Sequence, residues 1–294
     1  RNVTKGMWTK YPNYYRKNLP YNLPLDVADE GYFWWFVGIW LGDGWVDKDK
    51  VSICFNKKEV EYINRMQDFV VNILGRSPYK RERNNCIEFS FGHRELSKFL
   101  SSTFNKGAAN KTIQEWVKFI PYEYKYNLIQ GYLDSDGCVT RGGHTSEYWN
   151  IEFVSISQEL LEGFQDILFS MGLVSNMGLL RKAKIFSIEG RTVNQKETFR
   201  LRLGHQETMR FVKNLPFADD PKRTKIDFDE LKKKKKKANN GCFLSEDLNY
   251  IFIQIKVIQN DLSTGTVYNF DCETHTFITP YCTTHNCDPW FTAA

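Results

Sequence analysis

The sequence predicts an α+β protein made of two similar halves, each a helix-hairpin-helix-hairpin-helix unit, followed by a small β domain. Three observations indicate this fold: a nine-residue motif that occurs twice, matching strands and amphipathic helices after each copy, and a C-terminal stretch that alternates like β structure. With 294 residues, 41 % of them hydrophobic, the chain is long enough for two domains with buried cores.

The repeated motif spans residues 36–44 and 129–137, a constant offset of 93 positions. Each copy is an apolar stretch with small residues four positions apart, and each ends in Asp-Gly. Small residues at this spacing share one helical face, so the two helices can pack backbone to backbone and bring Asp43 and Asp136 together at their C-termini. The helix dipole and the repulsion between the two carboxylates both disfavour negative charge there. A bound divalent cation would neutralise this charge.

The elements after each motif recur in the same order, and the glycine after each aspartate is predicted to end its helix in a left-handed conformation. A strand is predicted over 51–55 and 151–156, an amphipathic helix over 58–75 and 158–172, and a second hairpin that leads into a third helix near 91–95 and 203–207. At the third helix the offset is 112, so about 19 residues were added to the second half. We expect them between Gly172 and Leu203, in a longer hairpin around 187–192.

The paired motif resembles that of the LAGLIDADG homing endonucleases, whose eighth motif position is a metal-binding aspartate. The resemblance implies that Asp43 and Asp136 bind the metal and that Lys111 and Lys225, after the third helix of each half, assist catalysis. Carboxylate oxygens are hard ligands of the kind that Mg²⁺ prefers, so Mg²⁺ is the expected metal. An apolar helix ending in Asp-Gly is also common in protein cores, where it has only a structural role. The second copy, with small residues at matched positions, favours the metal-binding interpretation. The resemblance further implies a monomer that cuts both strands of a long DNA target.

Nucleic-acid binding is predicted from where the charges lie, because the net charge of +5 becomes −1 without the six lysines 232–237. Basic residues cluster in the second hairpin of each half, and a two-stranded ribbon fits the DNA major groove. For one hairpin alone, an ordinary solvated face is the alternative. Matching clusters favour a basic saddle that binds double-stranded DNA, with the aspartates under its centre. The predicted DNA-binding residues are Lys80, Arg81, Arg83, Arg181, Lys182, Lys184, Arg200 and Arg202.

The region from residue 249 onward indicates a second type of reaction. Its β-like alternation is followed by His285-Asn286-Cys287. This region resembles the C-terminal splicing motifs of inteins. The resemblance implies that Asn286 cyclises and breaks the following peptide bond, that His275 and His285 move protons, and that Cys287 accepts the acyl group. Asn269 stands where the family usually has aspartate, which is expected to slow the junction chemistry.

The intein's N-terminal nucleophile and Thr-x-x-His segment have no match before Tyr32. We therefore expect the missing N-terminal splicing segment to be supplied upstream in cis or in trans. Seven cysteines without a CxxC pair predict free thiols in a reducing, intracellular compartment. No stretch of the sequence has the length and apolar character of a membrane span.

Together, the two resemblances favour a site-specific homing endonuclease carried in an intein. One alternative is an intein whose endonuclease has decayed and that acts only in protein splicing. The other is a maturase-like RNA-binding module, which needs no carboxylate pair. The predicted domains are a lead-in segment (1–30), the first half (31–127), the second half (128–230), a lysine-rich linker (231–241), the C-terminal part of the intein splicing (Hint) domain (242–286) and a downstream host-protein stub (287–294).

Overall fold

The computed structural model describes most of the chain up to residue 226 and four short strands beyond it. The described residues are 27–141, 148–188, 191–217, 220–226, 242–244, 251–253, 276–278 and 283–285. The chain divides into two compact units, Arg1–Ala238 and Asn239–Ala294. Among the helices of the described part, none combines the length and the apolar character that crossing a membrane requires.

The first half of the larger unit has the predicted order of helix, hairpin, helix, hairpin and helix. Its elements are helix α1 (Val27–Asp43), strands β1 (Gly44–Asp47) and β2 (Lys50–Asn56), helix α2 (Val60–Asp68), strands β3 (Tyr79–Arg83) and β4 (Cys86–Gly92), and helix α3 (Arg94–Phe104). Helix α2 continues as a π-helical turn, Phe69–Ile73, and a 3₁₀ helix, Glu115–Phe119, leads towards the second half.

The second half repeats this order and adds a two-stranded ribbon and a short last helix. Its elements are helix α4 (Tyr122–Asp134), strands β5 (Gly137–Arg141) and β6 (Trp149–Ser155), helix α5 (Gln158–Ser170), strands β7 (Ser175–Arg181), β8 (Lys184–Ile188), β9 (Arg191–Gln195) and β10 (Thr198–Leu203), and helices α6 (His205–Val212) and α7 (Pro221–Thr224). The predicted repeat of the helix and hairpin order is therefore confirmed.

Each half forms one antiparallel four-stranded sheet, in the order β1-β2-β4-β3 in the first and β5-β6-β10-β7 in the second. One face of each sheet is apolar and packs on the helices, because alternate residues of a strand point to opposite faces. In each half the motif helix stacks an aromatic ring on the helix that follows the first hairpin. The Phe36 and Phe69 ring centroids are 4.8 Å apart, and those of Tyr132 and Phe164 are 4.4 Å apart.

Helices α1 and α4 pack against each other through their backbones, as the small residues predict. A Cβ atom added at Gly38 would lie 2.2 Å from the carbonyl oxygen of Leu128. A Cβ atom added at Gly131 would lie 2.0 Å from the carbonyl oxygen of Trp35. Both distances are below any that a real side chain tolerates, so glycine is required at both positions. The two motif helices therefore form the interface between the halves.

The added residues of the second half are divided between two connections. Strand register matches Ile53 with Phe153 and Phe89 with Leu201, pairs that are 100 and 112 positions apart. Because the offset is 93 at the motifs, seven added residues lie in the β5–β6 connection, and not after α5 as predicted. Most of the others form the ribbon of β8 and β9 between β7 and β10, where a longer hairpin is predicted.

Three local predictions are corrected by the structure. Helix α1 begins at Val27, inside the predicted lead-in segment, and α4 begins at Tyr122, before the predicted start of the second half at 128. Gly44 and Gly137 are not left-handed; each begins a strand. Glycine is needed there for space, since an added Cβ would lie within 2.7 Å of a backbone Cα atom in the preceding helix.

The smaller unit contains two antiparallel strand pairs in its described part. Strand β11 (Cys242–Leu244) pairs with β12 (Ile251–Ile253), and β13 (Thr276–Ile278) pairs with β14 (Thr283–His285). Strands β12, β13 and β14 agree with the β-like alternation of the sequence from residue 249 onward, and β11 precedes it.

We predict that Gly131→Ala lowers the free energy of unfolding by about 1–3 kcal/mol, because the added methyl group meets the Trp35 carbonyl oxygen. The better helix propensity of alanine, about 1 kcal/mol, acts in the opposite direction. Urea denaturation measures the change. Gly92→Ala is the control, since a Cβ atom there would have no neighbour within 4 Å. Equal loss of stability in the two variants would contradict the close helix contact.

Candidate active site

The two predicted metal-binding aspartates lie where α1 and α4 end. Asp43 is the last residue of α1, whereas α4 ends at Asp134, and Ser135 and Asp136 connect it to β5. The helix ends meet closely, because a Cβ atom added at Gly42 would lie 2.1 Å from the Ser135 Oγ atom and 3.2 Å from the backbone nitrogen of Asp136. The structure therefore brings the two aspartates together, as the repeat predicts.

Both carboxylates are accessible to solvent, but protein atoms surround most of each group. Burial, with smaller effects of the Asp136 and Glu59 charges, raises the pKa of Asp43 to about 6. Burial also raises the pKa of Asp136, while the charges of Lys111 and Lys222 oppose that rise. Two partly desolvated carboxylates side by side strongly favour the binding of a cation.

Lys111 closes the C-terminal end of α1 from within the core. Its side chain is buried, and its Nζ atom donates to the carbonyl oxygens of Trp40 at 2.7 Å, Leu41 at 2.9 Å and Gly44 at 2.8 Å. Carbonyls at a helix end lack partners within the helix, and an ammonium group there also favours the helix dipole. Burial lowers the pKa of Lys111 to about 8, and attraction to the two aspartates opposes that shift.

Lys222, at the start of α7, closes the end of α4 in the same way. Its Nζ atom donates to the carbonyl oxygens of Leu133, Asp134 and Gly137, the last two at 2.9 and 2.8 Å. These carbonyls are the motif equivalents of the three that the first lysine holds. The predicted counterpart, Lys225, is exposed and three residues further along, so the prediction of its position in the site is wrong.

The sequence contains a helix-start signal that points to Lys222. Asp220 caps α7: its Oδ1 atom accepts from the backbone nitrogens of Lys222 at 2.8 Å and Arg223 at 3.4 Å. Pro221 is the first residue of the helix. Aspartate followed by proline is a common helix-start signature, and it places Lys222 in the first turn.

The donor set suits a hard divalent cation that keeps part of its water shell. In the described part of the chain, no third His, Cys, Asp or Glu joins the aspartates in a metal-binding cluster. Mg²⁺ is commonly held by one or two carboxylates, and waters and substrate phosphates complete its octahedral shell. Asp43 and Asp136 fit this pattern, with the remaining ligands left to water and substrate.

A recess of about 440 Å³ opens beside Asp43, and its wall includes Arg83 and the thiols of Cys54 and Cys86. The two cysteines occupy diagonal positions on β2 and β4. Burial, together with contact between the two thiols, raises the pKa of Cys54 to about 11, so this thiol is protonated at neutral pH. The cysteines whose side chains the structure describes, these two and Cys138, are free, in agreement with the sequence-based prediction.

A buried charged network, which is not among the sequence-based predictions, joins α2 of the first half to α4 of the second. The Arg65 Nη1 atom lies 3.6 Å from the Asp134 Oδ2 atom and 3.8 Å from the Asp220 Oδ2 atom. The Arg65 guanidinium also lies 3.8 Å from the ring centroid of Phe217, and Trp35 Nε1 donates to Asp134 Oδ2 at 2.8 Å. Burial and the Asp220 charge hold the pKa of Asp134 well above its ordinary value. The available signal was an aspartate within an otherwise apolar helix, where the first motif has leucine.

The first sheet presents Arg81 and Arg83 on the face that lies away from the helices. Arg81 is opposite Glu88 in the β-ladder, and Arg83 Nη2 lies 3.6 Å from Glu88 Oε2. Lys80 Nζ instead donates to Gln67 Oε1 in α2 at 2.5 Å. Lys80, which is also among the predicted DNA-binding residues, therefore lies on the opposite face from the two arginines, because alternate residues of a strand point to opposite faces.

The second sheet presents Arg200 and Arg202 on one face, opposite the buried Leu201, because alternate residues of a strand point to opposite faces. The Arg200 Nη1 atom and the Arg202 Nε atom both lie 3.4 Å from Glu152 Oε1. One carboxylate therefore holds two guanidinium groups, and each guanidinium keeps further donors for a ligand. The remaining predicted contacts, Arg181, Lys182 and Lys184, are exposed at the far end of the hairpin.

The predicted splice junction falls almost entirely outside the described residues. His285 is the last residue of β14. His275, Asn269, Asn286 and Cys287 lie outside the described ranges, as do the predicted linker 231–241, the host-protein stub 287–294 and residues 1–26.

Comparison with known proteins identifies a LAGLIDADG-like domain over residues 123–214. This range covers the second half from α4 to the end of α6, and the first half repeats its strand order. The predicted LAGLIDADG fold is therefore confirmed for the second half, and the first half has the same architecture.

Longer proteins contain segments similar to this chain. The DNA-directed RNA polymerase subunit Rpo1C of Methanocaldococcus jannaschii is 31% identical over 215 residues, which are 72% of this chain and 22% of that protein. The ATP-dependent DNA helicase Hel308 of the same organism is 27% identical over 207 residues, 66% of this chain and 16% of the helicase. The chain spans less than a third of the length of the first curated relatives it matches.

Two kinds of solved structure are similar to this chain. The homing endonuclease I-DmoI in complex with DNA and Ca has a TM-score of 0.49 at 13% identity, covering 67% of this chain and 97% of that chain. Full-length DUF199/WhiA from Thermatoga maritima has a TM-score of 0.46 at 14% identity, covering 74% of this chain and 66% of that chain. Neither likeness bears on the activity of this chain.

We predict that Lys222→Met lowers the free energy of unfolding by about 1–3 kcal/mol, because three carbonyl oxygens at a helix end lose their donor. Since the Lys222 charge lowers the pKa of Asp43 and Asp136, its removal should raise both values further. Urea denaturation and carboxyl NMR titration measure the two effects. Lys225→Met, at an exposed lysine, is the control. Identical behaviour of the two variants would argue against the position assigned to Lys222.

Proposed function

We propose that this chain is a site-specific endonuclease that hydrolyses both strands of a long double-stranded DNA target and is carried within an intein. The observation that carries the proposal is the pair of partly desolvated carboxylates, Asp43 and Asp136, at the meeting ends of two helices. The LAGLIDADG-like domain at residues 123–214 supports it. A module that only binds RNA needs no such carboxylate pair.

Cutting two strands requires two phosphodiester hydrolyses, and the site has one aspartate and one lysine from each half. Asp43 and Asp136 would hold divalent ions, for which Mg²⁺ is our proposal from the oxygen donors. Such an ion supplies charge stabilisation at the phosphoryl oxygens and a water of lowered pKa. Lys111 and Lys222 hold the helix ends in register, so that the two carboxylates keep their positions, and add positive charge where the phosphates would lie.

The arginines on the open faces of the two sheets would bind the DNA. Arg200 and Arg202 share Glu152, which limits the orientations of both guanidinium groups before DNA arrives. Preorganised guanidinium groups lose less conformational entropy on binding. Arginine donors suit both phosphate oxygens and guanine edges in the major groove.

Intein carriage is supported by the kinds of protein in which similar segments lie. An RNA polymerase subunit, a probable translation initiation factor IF-2 and a DNA helicase share no function in their names, yet each contains a segment similar to this chain. This distribution is expected for an inserted element that excises itself from its host protein. The C-terminal His285-Asn286-Cys287 sequence supplies the residues that such removal needs.

We predict that Asp43→Asn and Asp136→Asn each abolish cutting of duplex DNA that spans the uninterrupted insertion site. Binding of this DNA, measured by fluorescence anisotropy, should change by only a few fold, because the substitution removes metal ligation and leaves the phosphate contacts. Asp47→Asn, at an exposed aspartate of β1, is the matched control and should cut normally. Full Mg²⁺-dependent cutting by either site variant would refute the proposal.

The raised pKa of Asp43 predicts a pH dependence. Protons compete with the metal for this carboxylate, so the Mg²⁺ concentration for half-maximal cutting should rise as the pH falls from about 7.5 to about 5.5, through the pKa of about 6. In the absence of metal, the stability of the protein changes in the opposite direction. Because the folded pKa of Asp43 exceeds the ordinary 3.8, the folded state binds the proton more tightly than the unfolded state does. The free energy of unfolding therefore increases as the pH falls through this interval. A metal requirement independent of pH would contradict the assignment.

The splice junction predicts slow release of a peptide. The chain alone should lose the segment that begins at Cys287, over hours, through cyclisation of Asn286. Mass spectrometry should find a product that ends at residue 286 as a succinimide or its hydrolysed form. Asn286→Ala should remove this product, and supplying an N-terminal splicing segment in trans should convert release into ligation. Release that persists in Asn286→Ala would indicate ordinary proteolysis.

A further inference from the structure

The two halves differ most at the second hairpin. In the first half, β3 and β4 are joined by the two residues 84 and 85, whereas in the second half β7 and β10 are joined by residues 182–197. These residues contain the ribbon of β8 and β9, which pair with each other and with no other strand of the described chain. The second half therefore has an extension that the first half lacks.

One face of the ribbon is fully exposed and carries uncharged side chains. Ile185 lies opposite Asn194, and Ser187 lies opposite Thr192. All four are exposed, and Ile185 reaches 71% exposure, the highest of the large hydrophobic residues in the described part. An isolated two-stranded ribbon is only marginally stable in water, so an isoleucine at its exposed face gains most from a partner.

The other face gives the ribbon its internal support. Phe186 and Val193 are opposite each other and half-buried, and the Lys184 Nζ atom lies 5.0 Å from the Phe186 ring centroid. Because the apolar contact and the lysine stem lie on this face, the ribbon can present the uncharged face to a ligand without losing its support.

The charge of the extension favours an anionic partner. Residues 182–197 contain four basic and two acidic side chains, whereas the turn of the first half contains only two asparagines. The partner that suits this balance is the DNA that the adjacent arginines of β10 are proposed to bind. A β-ribbon fits the major groove, where amide and hydroxyl groups read base edges and an aliphatic side chain contacts the thymine methyl group.

We propose that the β8–β9 ribbon lies in the major groove beyond the DNA covered by the four-stranded sheet, and that Ile185, Thr192 and Asn194 read base pairs there. Each strand of the ribbon has five residues, a length of about 17 Å, which corresponds to about five base pairs. The target is therefore asymmetric, with a longer half-site on the side of the second half. This inference rests on the proposed DNA-binding function.

The first half supplies the design of the test variant. Replacing residues 182–197 by Asn-Asn, the turn that joins β3 to β4, removes the ribbon and leaves both strands of the sheet. The wild-type chain and this variant are each used to select bound duplexes from a library of randomised DNA, without any cutting step, and the selected DNA is sequenced. We expect the variant's consensus to be about five base pairs shorter at one end only.

A second variant keeps the ribbon and changes only its exposed face. Ile185→Ala, Thr192→Ala and Asn194→Ala together should weaken binding to the wild-type consensus by about tenfold or more and remove base preference at the same end. An unchanged consensus and affinity in both variants would overturn the ribbon's role and leave the proposed endonuclease standing. If the wild-type chain selects no common sequence, both the proposed function and the ribbon inference fail.

Discussion

The backbone contact between α1 and α4 is the constraint on which the rest of the unit depends. Gly38 and Gly131 leave no side chain between the helices, so the helix axes approach until carbonyl oxygens lie where a Cβ atom would be. Because the helices meet in this way near their C-terminal ends, Asp43 and Asp136 share one location. Each sheet begins immediately after one of these aspartates, so the same contact sets where the two basic faces start.

The contact concentrates negative charge, and cationic side chains lie against it. Two helix C-termini and two carboxylates meet, while Lys111 and Lys222 each donate to three carbonyl oxygens at a helix end. Arg65, on α2, lies against Asp134 at the end of α4 and against Asp220, which caps α7. These interactions stabilise the helix ends, but the aspartates keep raised pKa values. The site therefore favours the binding of a further cation from solution.

The features that could be predicted from the sequence are those with local signals. The motif repeat, the alternation of β2 and β6 and the small residues of the helices identify the two halves and the meeting of Asp43 with Asp136 without any knowledge of tertiary contacts. Lys222 could not be assigned from the motif repeat, because lysines are frequent near it. The Asp220-Pro221 helix-start signal and the hydrogen bonds to α4 are what distinguish it from Lys225. The side of the strand on which Lys80 lies likewise depends on pairing register.

We propose that Asp43 and Asp136 hold divalent ions at the helix junction. To locate the bound ion, Mg²⁺ is replaced by Fe²⁺ with ascorbate and oxygen, which generates hydroxyl radicals at the ion and cuts the nearby peptide chain. We expect cleavage centred on residues near Asp43 and Asp136, lost in a variant with Asn at both positions and suppressed by excess Mg²⁺. Cleavage elsewhere, or cleavage that persists in that double variant, would show that the two aspartates do not hold the ion.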